Sequence, residues 1–421
     1  MEKLLKPNDT LANRVSYYFI ALLLVSLPYN LFYSHLFLIG LAVHTIVQIR
    51  KNTIKPVFTK AVFALTAVFL ITLASLIYTT NTPQGFTELG RQVTILLIPL
   101  ICCFNTLDLK KYRHNLLLIF SIGCVISITY LFLQALYTIR YFHLPLQALL
   151  SPAFNNHNFS EPLEIHATFF SMQIGIGLTY FIYRFIKQPS GKVKTFYFLC
   201  CLLLAAGLVQ LSAKSVCIAM VLVINILVPL ILLQGAARKK YIIVGSSLTF
   251  LLIGGVVTFS AFKDRFVTEL KKDLSESTDA ELTDPRLARW EVAIKVAAQS
   301  PVIGHGAGTE IALLQDPFFN HRFYRSYIAE LNAHNQFISF FIKSGIVGLL
   351  VYLFVLYFGI GRAIKNRDFL LVSFMVIITC VSFSENFLDV DKGIFFYGVF
   401  FSLLFFSTPA QSTESQGQNT M

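Results

Sequence analysis

The chain has 421 residues, of which 55% are apolar and only 13% are charged. A soluble domain carries about 25% charged residues, so this composition excludes a disordered chain and argues against a soluble enzyme. A formal net charge of +12 would suggest nucleic-acid binding in a soluble protein. In a membrane protein the same excess is expected from basic cytoplasmic loops.

Apolar runs that can cross a bilayer core of about 30 Å recur along nearly the whole chain. The sequence therefore predicts an all-α integral membrane protein with about twelve transmembrane helices. Pro28 and Pro99 interrupt the first and the fourth of them. The predicted spans are 16–33, 34–49, 60–78, 92–106, 116–137, 166–186, 195–211, 215–234, 241–262, 337–361, 369–385 and 393–407.

The distribution of Lys and Arg predicts the orientation of these spans. With the N-terminus inside, 20 of the 34 basic residues lie in inner segments and four in short outer segments. The other ten lie around one long outer segment, and long loops are exempt from the rule. The pattern favours both termini inside. The predicted parts are the helices of 1–262, a long outer loop of 263–336, the helices of 337–407 and a disordered cytoplasmic tail of 408–421.

The N-terminal apolar run and the positions of the cysteines lead to two further expectations. The N-terminal apolar run lacks a clear small-residue cleavage site, so we expect a retained anchor. All seven cysteines fall inside predicted spans. We therefore expect neither a disulfide nor a thiol-based metal site outside the cytoplasm.

The long outer loop holds 11 of the 22 acidic residues and the only tryptophan. Its first half, Lys263 to Glu281, reads as a charged, solvated helix with a flexible end. Asp284 is then expected to cap a second helix, with Pro285 at the first helical position. This helix should end at Ser300-Pro301. It is amphipathic and should lie on the outer membrane surface or against the bundle. The apolar residues at helical spacing are Leu287, Trp290, Ala293, Ile294 and Ala297.

Arg286 lies four residues before Trp290 and therefore shares its face of that helix. It is either an arginine that snorkels over an apolar stripe or a forked ligand for an anion. The downstream Gly304-His305-Gly306 lacks the ending of a P-loop. It indicates a turn where the backbone approaches a partner closely.

A polar cluster, Asn332 to Gln336, opens the tenth predicted span at the outer surface. His334 should lie in the first helical turn, where partial positive charge disfavours imidazolium. A neutral imidazole is what a general base requires. The alternative is an interfacial histidine that caps the helix. Gly345 and Gly348 should allow close helix contact farther along.

These residues resemble the O-antigen ligase and O-antigen polymerase superfamily. The family signature is His, then Asn, Ser or Gln, nine residues, and Gly-x-x-Gly, and His334-Asn335 with Gly345 and Gly348 match its spacing. The upstream family element is Arg-x-x-x-Trp followed by Pro and Gly-x-Gly. It corresponds to Arg286, Trp290, Pro301 and Gly304-His305-Gly306.

The chain departs from the family at one element. The family often has a Ser-Arg pair before the long loop, and its arginine meets the donor diphosphate, but this chain has Ser212-Ala213-Lys214. Lys214 keeps the charge and loses the bidentate fork, so it is either a substrate ligand or a snorkelling lysine. A second match, His166, follows a 138–165 outer segment that contains His157.

The resemblance implies a GT-C-like membrane glycosyltransferase on the periplasmic face of the bacterial inner membrane. Its partners would be an undecaprenyl diphosphate-linked glycan donor, a lipid A–core or glycan acceptor, and membrane lipids, without nucleic acid. His334 would be the general base and Arg286 would stabilise the leaving diphosphate, with inversion at the anomeric carbon. The expected substrate-binding residues are Lys214, Arg289, Asn335 and His166.

We expect no metal or other cofactor, because the outer loops show no Asp-x-Asp pair or histidine cluster. A ligase would transfer the glycan to lipid A–core, whereas a polymerase would transfer it to another carrier-linked repeat. We favour the ligase because the spacing of its signature is complete. A transporter or flippase is a more distant alternative, for which Glu385 and Lys343 are the main ionisable residues near spans.

Overall fold

The computed structural model describes residues 7–49, 54–273 and 284–408. Every regular element in these ranges is helical, so the predicted all-α class is confirmed. The predicted tail beyond Thr408 and the end of the predicted charged run, 274–281, lie outside the described residues.

The bundle begins with seven longer helices and a short outer segment of single helical turns. The turns lie at Leu146–Leu150, Pro152–Phe154, Asn156–Ser160 (α6) and Glu161–Leu163. The longer helices are α1 (Leu11–Ser26), α2 (Leu31–Val47), α3 (Lys60–Ser75), α4 (Thr82–Phe104), α5 (Leu109–Tyr141), α7 (Ala167–Lys187) and α8 (Lys192–Leu211).

The second half of the chain contains the remaining spans and the long loop between them. The helix α9 continues into a π-helical stretch, Val223–Leu232, and a second π-helical stretch, Asp264–Thr268, precedes α12. The helices are α9 (Lys214–Leu222), α10 (Gly235–Thr258), α11 (Ser260–Lys263), α12 (Glu269–Asp273), α13 (Arg286–Ala297), α14 (Glu310–Asn320), α15 (Tyr324–Ile328), α16 (Gln336–Lys365), α17 (Phe369–Ser382) and α18 (Asp391–Phe406).

Each of the twelve predicted spans overlaps one of these helices, although two boundaries differ clearly. The first pair divides at residues 27–30, where Asn30 caps α2 through the backbone N–H of Phe32. The fourth helix begins at Thr82 rather than residue 92, because Asn81 accepts a hydrogen bond from the N–H of Gln84. A polar first turn therefore precedes the apolar run from which the span was predicted.

Six helices among the described residues are long and apolar enough to cross a membrane. This supports a multi-pass membrane protein, while the number of twelve spans and the orientation stay predictions. The six are Thr82–Phe104, Leu109–Tyr141, Ala167–Lys187, Lys192–Leu211, Lys214–Leu232 and Gln336–Lys365.

The last helix, α18, lies in the centre of the bundle. Every residue from Gly393 to Phe405 is buried, including five phenylalanines. A helix that is apolar all round is buried on all sides. Residues 386–388 of the turn immediately before it are also buried, and Asn386 in this turn contacts Glu310 of the long loop.

The long loop folds into a compact helical unit with its own apolar core. This core joins α13, α14, the start of α15 and the first turns of α16. The unit therefore packs against a membrane helix instead of extending from the bundle. Its buried members are Ala288, Val292, Ala293, Val296, Ala297, Leu314, Phe318, Phe323, Ala333, Ile338 and Ile342.

Two details of the predicted loop helix are wrong. Asp284 does not cap α13, because its Oδ2 accepts hydrogen bonds from Ser326 N at 2.7 Å and Ser326 Oγ at 2.8 Å. Pro285 therefore occupies the N-cap position rather than the first helical position. The buried face is also rotated from the predicted stripe, since Ile294 is 47% exposed. The small side chains of Ala288, Ala293 and Ala297 allow the close contact with α14 and α16 that decides this rotation.

Candidate active site

The turn that carries His334 lies where the outer loop enters α16. The helix begins at Gln336, and the side-chain oxygen of Asn335 caps it by accepting hydrogen bonds from Phe337 N at 3.0 Å and Ile338 N at 3.2 Å. His334 lies before this cap, so its predicted place in the first helical turn is wrong. Its φ of +46° lies in the left-handed region, which is uncommon for a residue other than glycine.

His334 contacts a carboxylate that is 51 residues farther along the chain. Its Nδ1 lies 3.2 Å from Oε2 of Glu385, in the turn after α17. A carboxylate only accepts hydrogen bonds, so this contact assigns the proton to Nδ1 and leaves the lone pair on Nε2. The orientation of the ring is therefore set by Glu385 rather than by the end of α16.

The charge on Glu385 is stabilised by its surroundings. Burial would raise the pKa of Glu385, but the hydrogen bond from His334 and the nearby His334, His166 and Arg286 outweigh it and lower the pKa. The carboxylate is therefore ionised at neutral pH. The same interactions show that three of the predicted site residues surround one carboxylate.

His166 approaches this carboxylate from the first turn of α7. It is the N-cap residue, and its Nδ1 accepts a hydrogen bond from Thr168 N at 3.3 Å. Burial lowers the pKa of His166 to about 4, although Glu385 opposes the shift. The ring is therefore neutral at neutral pH, with its proton on Nε2. Its centroid lies 4.1 Å from that of His157, so the outer segment before α7 also reaches the site.

Arg286 and Arg289 bring unpaired positive charge to the site from the start of α13. Arg289 is only 7% exposed, yet its Nε and Nη1 have no hydrogen-bond partner among the described residues. The Nε of Arg286 also lacks a partner there. Burial, and then the charge of Arg286, lower the pKa of Arg289 to about 10, so it stays charged at neutral pH. Buried charges are normally paired, so these two guanidinium groups form a site suited to an anion.

Lys214, unlike the two arginines, forms ion pairs with acidic side chains of the described part of the chain. It opens α9, and its Nζ lies 3.3 Å from Glu269 Oε2 and 3.2 Å from Asp273 Oδ2. Both carboxylates belong to the segment just before the undescribed part of the loop. The charge of Lys214 is therefore compensated within the chain, in contrast to those of Arg286 and Arg289.

Asn335 supports the turn instead of facing an open space. It is 5% exposed, and its backbone N–H donates to Asn386 Oδ1 at 2.8 Å. The side-chain oxygen is already used twice in capping α16. The structure thus brings His334, His166, Arg286 and Arg289 together and assigns contacts within the chain to Lys214 and Asn335.

The two glycine motifs meet at a break inside α16. Gly345 has φ +62° and ψ −160°, and the carbonyls exposed by this break accept hydrogen bonds from His305 N at 2.9 Å and Gly306 N at 2.8 Å. A Cβ on Gly345 would lie 2.2 Å from the carbonyl oxygen of Val302. The predicted close approach is therefore confirmed, and its partner is the turn that begins at Pro301.

The Trp290 side chain connects the arginine-bearing helix to the histidine turn. Its Nε1–H donates a hydrogen bond to the carbonyl oxygen of Ala333 at 2.9 Å. Ala333 directly precedes His334. The Arg-x-x-x-Trp element therefore places two cations and a support of the histidine on one helix.

Most residues of this candidate site lie in a part of the chain that matches a known protein family. Residues 196–353 match a family model described as O-antigen ligase. This range of the chain is similar to the O-antigen ligase family. The resemblance inferred from the motifs is confirmed. No curated protein shows a significant match to the chain.

The matched range contains five of the predicted site residues: Lys214, Arg286, Arg289, His334 and Asn335. His166 and Glu385 lie outside the matched range, on opposite sides of it. Among the described residues, no group of three or more His, Cys, Asp or Glu could hold a metal ion.

Sequence reasoning missed the pairing of Glu385 with His334. It singled out Glu385 only as an ionisable group near a membrane span. Its position at the outer end of the eleventh predicted span was the available signal, since His334 lies at the same end of the tenth. Their spacing in the sequence does not predict that they are neighbours in space, because a whole helical hairpin separates them.

Proposed function

We propose that the chain is a metal-independent, inverting glycosyltransferase of the O-antigen ligase type in the bacterial inner membrane. It transfers a glycan from an undecaprenyl diphosphate carrier to a sugar hydroxyl of lipid A–core on the periplasmic face. The observation that carries the proposal is the oriented His334–Glu385 pair beside two unpaired, clustered arginines. A base and an anion site are the two groups that glycosyl transfer from a diphosphate requires.

In the proposed reaction the acceptor hydroxyl oxygen attacks the anomeric carbon of the donor glycan. The bond from that carbon to the diphosphate oxygen breaks, and the diphosphate leaves with the electron pair. The hydroxyl proton passes to Nε2 of His334, while Glu385 holds the Nδ1 proton and stabilises the resulting imidazolium. Arg286 and Arg289 stabilise the charge on the departing diphosphate. Attack from the face opposite the leaving group inverts the anomeric carbon.

His166 has a separate role in this proposal. Its neutral ring carries a proton on Nε2 and lies near Glu385, so it is a hydrogen-bond donor for a substrate oxygen. Lys214 is a second ligand of the donor only if the diphosphate displaces Glu269 or Asp273 from its ammonium group. The forked donors of Arg286 and Arg289 are therefore the primary diphosphate ligands.

A polysaccharide polymerase is the second candidate, since it uses the same donor chemistry with a carrier-linked acceptor. A transporter or flippase has less support. Its two candidate ionisable residues are engaged near the site, Glu385 with His334 and Lys343 with Asp389 at 2.7 Å. Neither residue is free to line a transport path.

Complementation tests the choice between ligase and polymerase. We expect expression in a ligase-deficient strain to restore long glycan on lipid A–core, and the His334→Ala variant to fail in the same strain. A polymerase-deficient strain provides the opposite assay. Recovery of long chains only in that strain would replace the ligase with the polymerase.

The proposed reaction also requires the long loop to face the periplasm. A cysteine introduced at Asn320, which is exposed in α14, should react with an impermeant thiol reagent in intact spheroplasts of a cysteine-free variant. Ser190→Cys, in the exposed segment between α7 and α8, is the matched control and should react only after lysis. Labelling with the reverse pattern would invert the orientation and place the site on the wrong face.

A further inference from the structure

Glu310 is a buried carboxylate beneath the histidine turn that the proposed reaction does not use. It opens α14 and is 2% exposed. Acidic residues are rarely buried to this extent unless they are paired or fully hydrogen-bonded. Its contacts therefore indicate what it contributes.

The first of these contacts are with the turn itself. Glu310 Oε1 accepts a hydrogen bond from the backbone N–H of Ala333 at 2.9 Å. The carbonyl of the same residue accepts from Trp290, so Ala333 is held by both of its backbone polar groups. Ser339 Oγ, in the first turns of α16, donates to the other oxygen of Glu310.

The second contact reaches the turn that carries Glu385. Asn386 Nδ2 donates to both carboxylate oxygens of Glu310, at 3.0 and 3.1 Å. The Oδ1 of the same Asn386 side chain accepts from the backbone N–H of Asn335 at 2.8 Å. Glu310 and Asn386 together therefore hold the residues on both sides of His334 and the residue that follows Glu385.

His334 depends on such support because of its backbone conformation. A left-handed φ in a residue other than glycine persists only where surrounding contacts determine it. The hydrogen bond between Nδ1 of His334 and Glu385 also joins two turns that no helix connects. Without a fixed distance between the turns, the imidazole would lose the hydrogen bond that sets its tautomer and its orientation.

We propose that Glu310 is a positioning residue that fixes the His334–Glu385 pair, an inference that rests on the proposed function. Its carboxylate connects α14, the entrance of α16 and the turn after α17 at one point. The charged groups that face it are Lys343, Asp389 and Glu88. Burial raises the pKa of Glu310, and the charge of Lys343 opposes the rise.

Substitution of Glu310 distinguishes an effect on the position of His334 from an effect on the binding of the donor. We expect Glu310→Ala to lower kcat by about 10²-fold, the loss that a misplacement of about 1 Å can cause. The KM for the lipid-linked donor should stay within a few-fold of wild type, because Arg286 and Arg289 are not held by Glu310. Glu310→Gln should retain most activity, since its oxygen still accepts from Ala333 and Asn386 while its amide donates to Ser339. Asp316→Ala, an exposed acid on the same helix, is the matched control and should behave as wild type.

Asn386→Ala provides a second test that leaves Glu310 in place. It removes the link to Asn335, and we expect the same selective loss of kcat, with no further loss in the double variant with Glu310→Ala. Size-exclusion profiles and thermal melting of the purified variants establish whether each is folded. Full kcat in folded Glu310→Ala would overturn the inference, and so would full kcat in Asn386→Ala if Glu310→Ala does not accumulate. Activity in His334→Ala would instead remove the proposed function itself.

Discussion

We expect His334→Ala to insert and accumulate normally while losing transfer by about 10²–10⁴-fold, the usual contribution of a general base. This corresponds to about 2.7–5.5 kcal/mol of transition-state stabilisation. The imidazole is part-exposed and its main side-chain contact is with Glu385, so its removal leaves the apolar core intact. The loss should therefore be chemical rather than structural.

The measurement is transfer from lipid-linked donor to acceptor by purified protein. His321→Ala removes an exposed histidine from the same outer loop and should leave the rate unchanged. If His334→Ala stays within a few-fold of wild type, another group takes the proton and the mechanism is wrong.

The second large effect is expected at Arg286. Replacement by Ala should nearly abolish transfer, because the Nε of this guanidinium has no hydrogen-bond partner among the described residues and the diphosphate would be its partner. Arg286→Lys should rescue poorly, since an ammonium keeps the charge but not the two parallel donors. Retention of Arg289 alone would leave one buried cation facing a dianionic leaving group.

The control for Arg286 is Lys295→Ala, which removes an exposed cation from the same helix. Transfer should be compared at equal membrane expression and at several donor concentrations. A true ligand of the leaving group lowers kcat even at saturating donor. Wild-type activity in Arg286→Ala would make this residue a snorkelling arginine over the apolar face of α13.

The sequence by itself indicated an all-α membrane protein and the candidate residues of its site. Apolar runs of membrane length are a local property, so every predicted span coincides with a helix. The spacing of His334, Gly345 and Gly348 lies within one segment, and it identified the family before any fold was known. Lys and Arg counts also gave an orientation, which the labelling experiment can test.

The helix caps and the buried faces of helices were predicted less well, because competing contacts come from residues elsewhere in the chain. Asp284 is a good N-cap residue by type, yet it binds Ser326. His334 was placed one turn too deep, since Asn335 is the residue that caps α16. In both cases the helix begins at a different residue from the one that the local sequence predicted.

Only the tertiary structure decided how the site is assembled. Glu385 meets His334 because α16 and α17 form a hairpin that returns the chain to the same end of the bundle. Arg289 is buried without a partner because α13 packs its alanine face against α16. These features depend on distances between residues far apart in the chain, and periodicity and spacing carry no information about such distances. The sequence therefore singled out the proposed base and cations, whereas the fold revealed the carboxylate that contacts His334 and the burial of Arg289.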